Sequence, residues 1–363
     1  MTPSSTAAFP TLCQPPVRRT DPACPRRQQP LILRLVARFP FLFWLMTAVA
    51  LAAGKRIPPA SPPAVAESRY ANLMAWGRER GLVPSPSRRN GDVQLTNQSL
   101  QISFKADSRT VSFDDVEHRL TLPVRRTPEG LQVAVRDIQT TLDPLLRPSQ
   151  RPASRPIKRI AINAGHGGKD PGNIEGRRQE KHYTLMVAGE LRRNLERAGL
   201  DVVVVRPSDV FISLEDRPAM AAKAMADLYV SLHFNAFDGP GSGDVAGIET
   251  YCLTPAGASS TNDSGNHGGA WHPGNRFDRD NILLGHLIQR SVVGGTDLND
   301  RGVRRARFKE LTLLQMPGVL VEGGYMTHPQ DAASIYSPKG RASLARAIAD
   351  GILDYKRLVE RRR

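Results

Sequence analysis

Between residues 99 and 124 apolar and polar side chains alternate with a period of two, in S-L-Q-I-S-F (99 to 104), R-T-V-S-F (109 to 113) and H-R-L-T-L-P-V (118 to 124). Asp107-Ser108 and Asp114-Asp115 stand between these runs, where the chain must turn. Successive residues of a strand face opposite sides of a sheet, so the pattern predicts a small β-rich module over residues 67 to 146. A short helix around Leu73 and Trp76 opens it. His118, alone on its strand pattern, is expected to face solvent.

From Arg159 the pattern changes. R-I-A-I-N (159 to 163), D-V-V-V-V-R (201 to 206), D-L-Y-V-S-L-H (227 to 233), G-I-E-T-Y-C-L (247 to 253) and G-V-L-V-E (318 to 322) read as short strands, most of them strongly apolar and buried. Between the first two, residues 181 to 199 place Leu185, Ala188, Leu191 and Leu195 on one helical face and stop at Gly199. Further helices are expected near 215 to 226, 281 to 292 and 341 to 357. Strands alternating with helices pack as a layered sheet, so the expected fold is α/β. A mainly parallel sheet flanked by helices spans 157 to 360, preceded by the small β-rich module.

The joints between these parts are proline-rich, K-R-I-P-P-A-S-P-P-A-V-A at 55 to 66 and R-P-S-Q-R-P-A-S-R-P at 147 to 156. They divide the chain into an N-terminal leader (1 to 52), a Pro/Ala linker (53 to 66), the module (67 to 146), a second linker (147 to 156) and the α/β domain. In the leader, six arginines from Arg18 to Arg38 precede the apolar run F-P-F-L-F-W-L-M-T-A-V-A-L-A-A-G at 39 to 54, and Ala50-Leu51-Ala52 offers a small-x-small cleavage pattern. This reads as an export signal. The run is shorter than the ~20 residues of a membrane-spanning helix. An uncleaved anchor remains the alternative, the only membrane contact expected; Pro40 and the lack of a polar face speak against a buried core helix.

Charge adds a partner class. Lys and Arg outnumber Asp and Glu by 50 to 35, a net +15, and loss of residues 1 to 52 with their six arginines and Asp21 leaves about +10. Such a surface attracts polyanions. Export and the lack of aromatics among the basic residues exclude nucleic acid and leave anionic wall material. Cys252 is the only cysteine beyond the leader, so no intramolecular disulfide forms there.

The candidate chemistry begins at N-A-G-H-G-G-K-D-P-G, residues 163 to 172, where an imidazole stands between glycines just past a strand. Ligand sites of α/β sheets gather beyond the carboxyl ends of strands, and His166, His233 and Glu322 each fall at or just past such an end. Glu180 opens the helix after the first strand. Singly, each has a plainer reading, as a turn cap, a core histidine, a helix-terminal acid or a solvated strand end. Together, two imidazoles and a carboxylate from separate elements suit a catalytic zinc, with a second carboxylate as general base. The helix-borne H-E-x-x-H signature is absent.

In order, N-A-G-H-G-G-K-D-P-G, Glu180-Lys181, A-D-L-Y-V-S-L-H-F-N-A (226 to 236) and P-G-V-L-V-E-G-G-Y-M-T-H (317 to 328) resemble the motifs of zinc-dependent N-acetylmuramoyl-L-alanine amidases of the AmiC/LytC type. The likeness covers about residues 157 to 355. Arg206, Asp209, Leu214 and Arg217, G-I-E-T at 247 to 250 and D-R-G-V at 300 to 303 match as well. Asn163 stands where that family usually has Asp, and Ala222 where it has Asn.

The resemblance implies one Zn2+ held by His166, Glu180 and His233, with Glu322 catalytic. It implies cleavage of the amide between N-acetylmuramic acid and L-alanine of peptidoglycan, in wall turnover or cell separation, by an exported protein of the periplasm or cell exterior. Two other readings are a noncatalytic wall-binding protein with a degenerate amidase domain and a zinc peptidase acting within the stem peptide. Regulated family members carry an occluding helix where this chain has residues 254 to 280; the Gly, Ser, Asn and Pro there predict a loop instead. His267 and His272 within it are expected to be solvated or substrate-facing rather than zinc ligands.

Overall fold

The structure is a computed structural model and describes residues 70–85, 92–152, 154–260, 262 and 269–361. The expected leader and Pro/Ala linker lie outside the described residues.

The first part runs β1 (Tyr70–Asn72), α1 (Leu73–Glu79), β2 (Val83–Ser85), β3 (Asp92–Thr96), β4 (Gln101–Lys105), β5 (Thr110–Phe113), β6 (Val116–Arg119), β7 (Arg125–Thr127), β8 (Gly130–Ala134), α2 (Val135–Asp137) and α3 (Asp143–Leu146). Asn72 caps α1 by accepting from the Ala75 amide at 3.0 Å, and the helix buries Leu73 and Trp76 as its pattern requires. Asp114 and Asp115 adopt φ of 48° and 64°. This two-residue turn matches strand twist and sets Phe113 opposite Val116. The ladder therefore begins before residue 118 and ends at Arg119, rather than running over 118 to 124. Beyond it the Leu120 amide donates to Arg109 and that of Val124 to Ser108.

The second part runs β9 (Arg159–Ala164), β10 (Ile174–Glu175), β11 (Arg178–Gln179), α4 (Glu180–Arg197), β12 (Asp201–Val204), α5 (Asp216–Lys223), β13 (Leu228–Asn235), β14 (Ile248–Leu253), α6 (Asp278–Gly295), β15 (Asp300–Ala306), α7 (Lys309–Thr312), β16 (Gly318–Tyr325), α8 (Pro329–Tyr336) and α9 (Pro338–Glu360). One sheet has the order β12-β9-β13-β16-β14-β15-β6-β5-β4-β3-β2. From β12 to β15 neighbours run parallel except β14 against β16. The mainly parallel α/β expectation holds, with one reversal. Alternate residues of the same strands are buried on both faces, Ile160 and Val230 in one core with residues of α4, α6 and α9, Ala161 and Tyr229 in another with Leu311 and Leu314. Gly351 of α9 lets that helix press on α6, where a Cβ would stand 2.6 Å from Ile288 Cα.

β15, D-R-G-V-R-R-A, has no apolar period to announce it, yet it carries the sheet into the β-rich part: Val303 pairs in parallel with His118. Arg305 of β15, buried, donates to Thr140 O at 2.6 Å and Leu253 O at 3.2 Å. The described residues belong to one compact unit. The same pairing overturns the solvent-facing expectation for His118. It is 1% exposed, and its Nε2 lies 3.0 Å from Nδ1 of His286 on α6, which covers this part of the sheet.

Candidate metal centre

The site lies at the carboxyl-end side of the sheet: His166 follows β9, whereas His233 and Glu322 stand within β13 and β16 toward their carboxyl ends. After β9 the chain reverses within a few residues: His166 itself takes φ of 61°, and Gly167 and Gly168 follow at 124° and 58°. A Cβ on Gly167 would meet Val210 O at 2.3 Å, so the loop requires glycine there for space as well as conformation.

Two buried arginines from the R-x-x-D-x-x-x-x-L-x-x-R stretch hold this loop. Arg206 donates to the carbonyls of Ala164 (2.9 Å), Gly165 (2.8 Å) and Lys181 (2.9 Å). Arg217 donates to Asn163 Oδ1 (2.8 Å) and to the carbonyls of Ala164 (3.0 Å) and His166 (2.8 Å). Burial, with Arg217 adding, lowers the Arg206 guanidinium to about 10. Asp209 accepts from the Gly168 amide and Lys181 Nζ, each at 2.8 Å.

Three of the expected residues converge. His166 Nε2 lies 3.0 Å from Glu180 Oε2, His233 Nδ1 lies 3.1 Å from Glu180 Oε1, and the two ring nitrogens are 3.2 Å apart. One ligand atom from each can be chosen so that all lie within 4.8 Å of one another. Glu180 is 1% exposed and also accepts from the amides of Asn173 and Phe234, each at 3.0 Å, which fix its carboxylate. Burial alone would push this carboxyl up, but hydrogen bonds from His166 and His233 hold it well below the usual range. A cation is what such a set of inward-facing lone pairs fits: two imidazoles and a carboxylate are zinc-type donors. His166 carries the accompanying feature of ligating histidines, its other nitrogen Nδ1 lying 2.9 Å from Asp170 Oδ2.

Glu322 joins them from β16, whose register sets it beside His233 on one side and Glu249 on the other. Its Oε2 is shielded from solvent and has no hydrogen-bond partner among the described residues. Burial pushes the Glu322 carboxyl up to about 8; His233 opposes this, and the charges of Glu180, Glu249 and Glu310 add to it. A cavity of about 330 Å³ opens over His166, Glu180, His233 and Glu322, with Leu214 and Phe308 on its wall.

His272 stands apart from this cluster, at the start of a 3₁₀ turn, Pro273–Phe277, where its amide donates to Asn275 Oδ1. That turn and the start of α6 are the only helical structure among the described residues of 254 to 280, so the loop expectation holds there. His267 lies outside the described residues. Three site residues had no part in the sequence reading. Asp170 was within a quoted motif four residues past His166, and Glu249 within G-I-E-T. Glu310 is signalled only as an acid in the apolar stretch F-K-E-L-T-L-L.

Comparisons with known proteins show what this chain is similar to. The profile of the amidase 3 family, N-acetylmuramoyl-L-alanine amidase, matches residues 160–354. The chain is 33% identical over 219 residues to the N-acetylmuramoyl-L-alanine amidase AmiC of Neisseria meningitidis serogroup B, covering 54% of this chain and 52% of that protein. It thus spans about half the length of that relative. To AmiA of Escherichia coli K12 it is 30% identical, covering 59% of this chain and 83% of that one. Among solved structures, the amidase AmiC2 of Nostoc punctiforme matches at 30% identity and a TM-score of 0.46, over 55% of this chain and 96% of that one. With the family profile matched over more than half its length, the chain belongs to the N-acetylmuramoyl-L-alanine amidase family.

Proposed function

We propose that this chain hydrolyses the amide joining N-acetylmuramic acid to L-alanine of the peptidoglycan stem peptide, outside the cytoplasmic membrane, with one Zn2+ held by His166, Glu180 and His233. The observation that carries this reading is the convergence of those three donors beside Glu322, a half-buried carboxylate whose Oε2 is shielded from solvent and has no hydrogen-bond partner among the described residues. When bound, the metal supplies Lewis acidity, lowering the pKa of water and polarising a carbonyl oxygen.

The chain's own groups do the rest. Glu322 takes a proton from the attacking water and passes it to the leaving amine. A carboxyl whose surroundings disfavour its charged form can hold that proton between the two transfers. Asp170 fixes the ring of His166, and the fixed carboxylate of Glu180 needs no rearrangement. No side-chain nucleophile is required. The matched family and the amidases among its relatives support the substrate class.

The test is zinc content of the purified chain together with release of free stem peptide from purified wall. Zinc with free peptide supports the reading. Zinc with cleavage inside the peptide supports a peptidase, and attachment to wall without cleavage supports a binding protein.

A further inference from the structure

His233 directs Nδ1 at His166 and Glu180, so its other nitrogen, Nε2, faces away from the cluster. That Nε2 is shielded from solvent and has no partner at hydrogen-bond distance among the described residues. At 3.6 Å from it stands Oε1 of Glu310, a carboxylate 3% exposed on α7.

Neutral donors fix Glu310 in place. Its Oε2 accepts from Tyr229 OH and Asn163 Nδ2, each at 3.0 Å, and its Oε1 accepts from Ser231 Oγ at 2.8 Å. Tyr229, Ser231 and His233 are alternate residues of β13 and share one face, so the carboxylate reaches along the row that ends in the imidazole. An ionised carboxylate oxygen has room for a second donor beyond Ser231. A histidine that gives one ring nitrogen to a metal keeps its proton on the other, and a buried N–H needs an acceptor.

We infer that Glu310 is a positioning residue that accepts the Nε2 proton of His233 and so fixes the tautomer and ring orientation that turn Nδ1 toward the metal. Closing 3.6 Å to an ordinary hydrogen bond takes a ring movement of about 0.6 Å. Glu310 is then to His233 what Asp170, at 2.9 Å, is to His166. The inference rests on the reading of His233 as a metal ligand, and the experiment separates the two.

The full chain is labelled with 15N-histidine and loaded with zinc, and Glu310→Gln is compared with it by NMR and by competition with a chromophoric chelator. In the parent, the proton of His233 is expected on Nε2, slow to exchange and shifted downfield. Glu310→Gln should move that resonance upfield, leave the His166 Nδ1–H resonance in place, and weaken zinc binding by about 10- to 100-fold. A role in packing alone would leave the His233 proton unmoved. Unchanged resonance and unchanged affinity in Glu310→Gln overturn the inference. If that variant does not fold, the parent spectrum decides: a proton on Nδ1, or one exchanging freely with water, overturns it. A parent that takes up no zinc overturns the metal reading and this inference with it, whereas a zinc-loaded parent with the wrong tautomer overturns only the part assigned to Glu310.

Discussion

Glu249 and Glu322 lie directly opposite each other where β14 runs antiparallel to β16. Glu249 is caged: Arg301 Nε at 2.7 Å and Arg304 Nε at 3.2 Å pair with Oε1, while Tyr325 OH at 3.1 Å and Tyr251 OH at 2.8 Å donate to its two oxygens. Glu322 has no such company, and the neighbouring carboxylate is one cause of its raised pKa.

Glu249→Gln should therefore ease ionisation of Glu322. Removing a negative charge favours the carboxylate, and the two arginines left behind act in the same direction. The general base must be ionised to accept a proton, so the acid limb of the pH–rate profile should move to lower pH, by on the order of one unit. A limb that stays put or moves to higher pH removes Glu249 from the control of Glu322.

The variants of the site itself separate binding from chemistry. His166→Ala, Glu180→Ala and His233→Ala each take away a donor and should lose zinc and activity together. Glu322→Gln keeps size and polarity but cannot accept the proton, so zinc should remain while turnover falls by ~10²-fold or more. Bound zinc and amide hydrolysis measured side by side decide it. An active Glu322→Gln, or a zinc-loaded and active His166→Ala, ends the mechanism.

Most of this site could be read from the sequence because its residues stand where short apolar runs stop, although β13 and β16 themselves continue to Asn235 and Tyr325. His166, His233 and Glu322 are marked by that position, and Glu180 by the start of an amphipathic helix. What supports them was hidden for physical reasons. β15 has a charged sequence because its arginines serve Glu249 and backbone carbonyls rather than a core. Glu310 meets Tyr229, Ser231 and Asn163 only through long-range packing, so no local spacing points to it. His118 has a polar side chain on a strand pattern, and what buries it is α6, 168 residues away along the chain at His286.

That histidine pair gives the fold an acid-sensitive seam. Burial, together with the neighbouring His286 and Arg305, lowers His118 well below its ordinary value, and burial with Arg290 lowers His286 to about 3. Both are neutral in the folded chain, so the unfolded chain takes up protons first. Their contribution to stability is fully present above about pH 6.5 and is lost as pH falls from there toward 3. Between pH 7 and pH 5 the loss should approach roughly 2 kcal/mol for His286, with His118 adding in the same direction. Urea unfolding at both pH values, on the parent and on His118→Leu/His286→Leu, tests this. A double variant that loses as much stability as the parent contradicts it.

The excess of basic residues predicts salt-sensitive attachment to anionic wall material. Exposed charges are screened beyond ~8 Å at physiological ionic strength. Co-sedimentation with purified sacculi should weaken steadily as salt rises. Attachment that is equal at low and high salt shows dispersed charges that serve solubility alone.

Gly165 offers the sharpest steric test of the metal centre. It lies between β9 and His166, and its backbone is not left-handed. A Cβ at this position would nonetheless stand 2.3 Å from Cε1 of His233 and 2.6 Å from both ring nitrogens. The imidazole would have to swing away, and the strands beneath it, buried on both faces, would not. Gly165→Ala is therefore expected to keep its fold, with a metal-free melting temperature close to the parent's, while zinc affinity falls at least about tenfold, since a displaced first ligand costs no less than a lost supporting hydrogen bond. Loss of zinc with the fold intact ties the metal to the ring of His233 itself. Undiminished zinc affinity in a folded Gly165→Ala would mean that His233, where the structure holds it, is not a ligand.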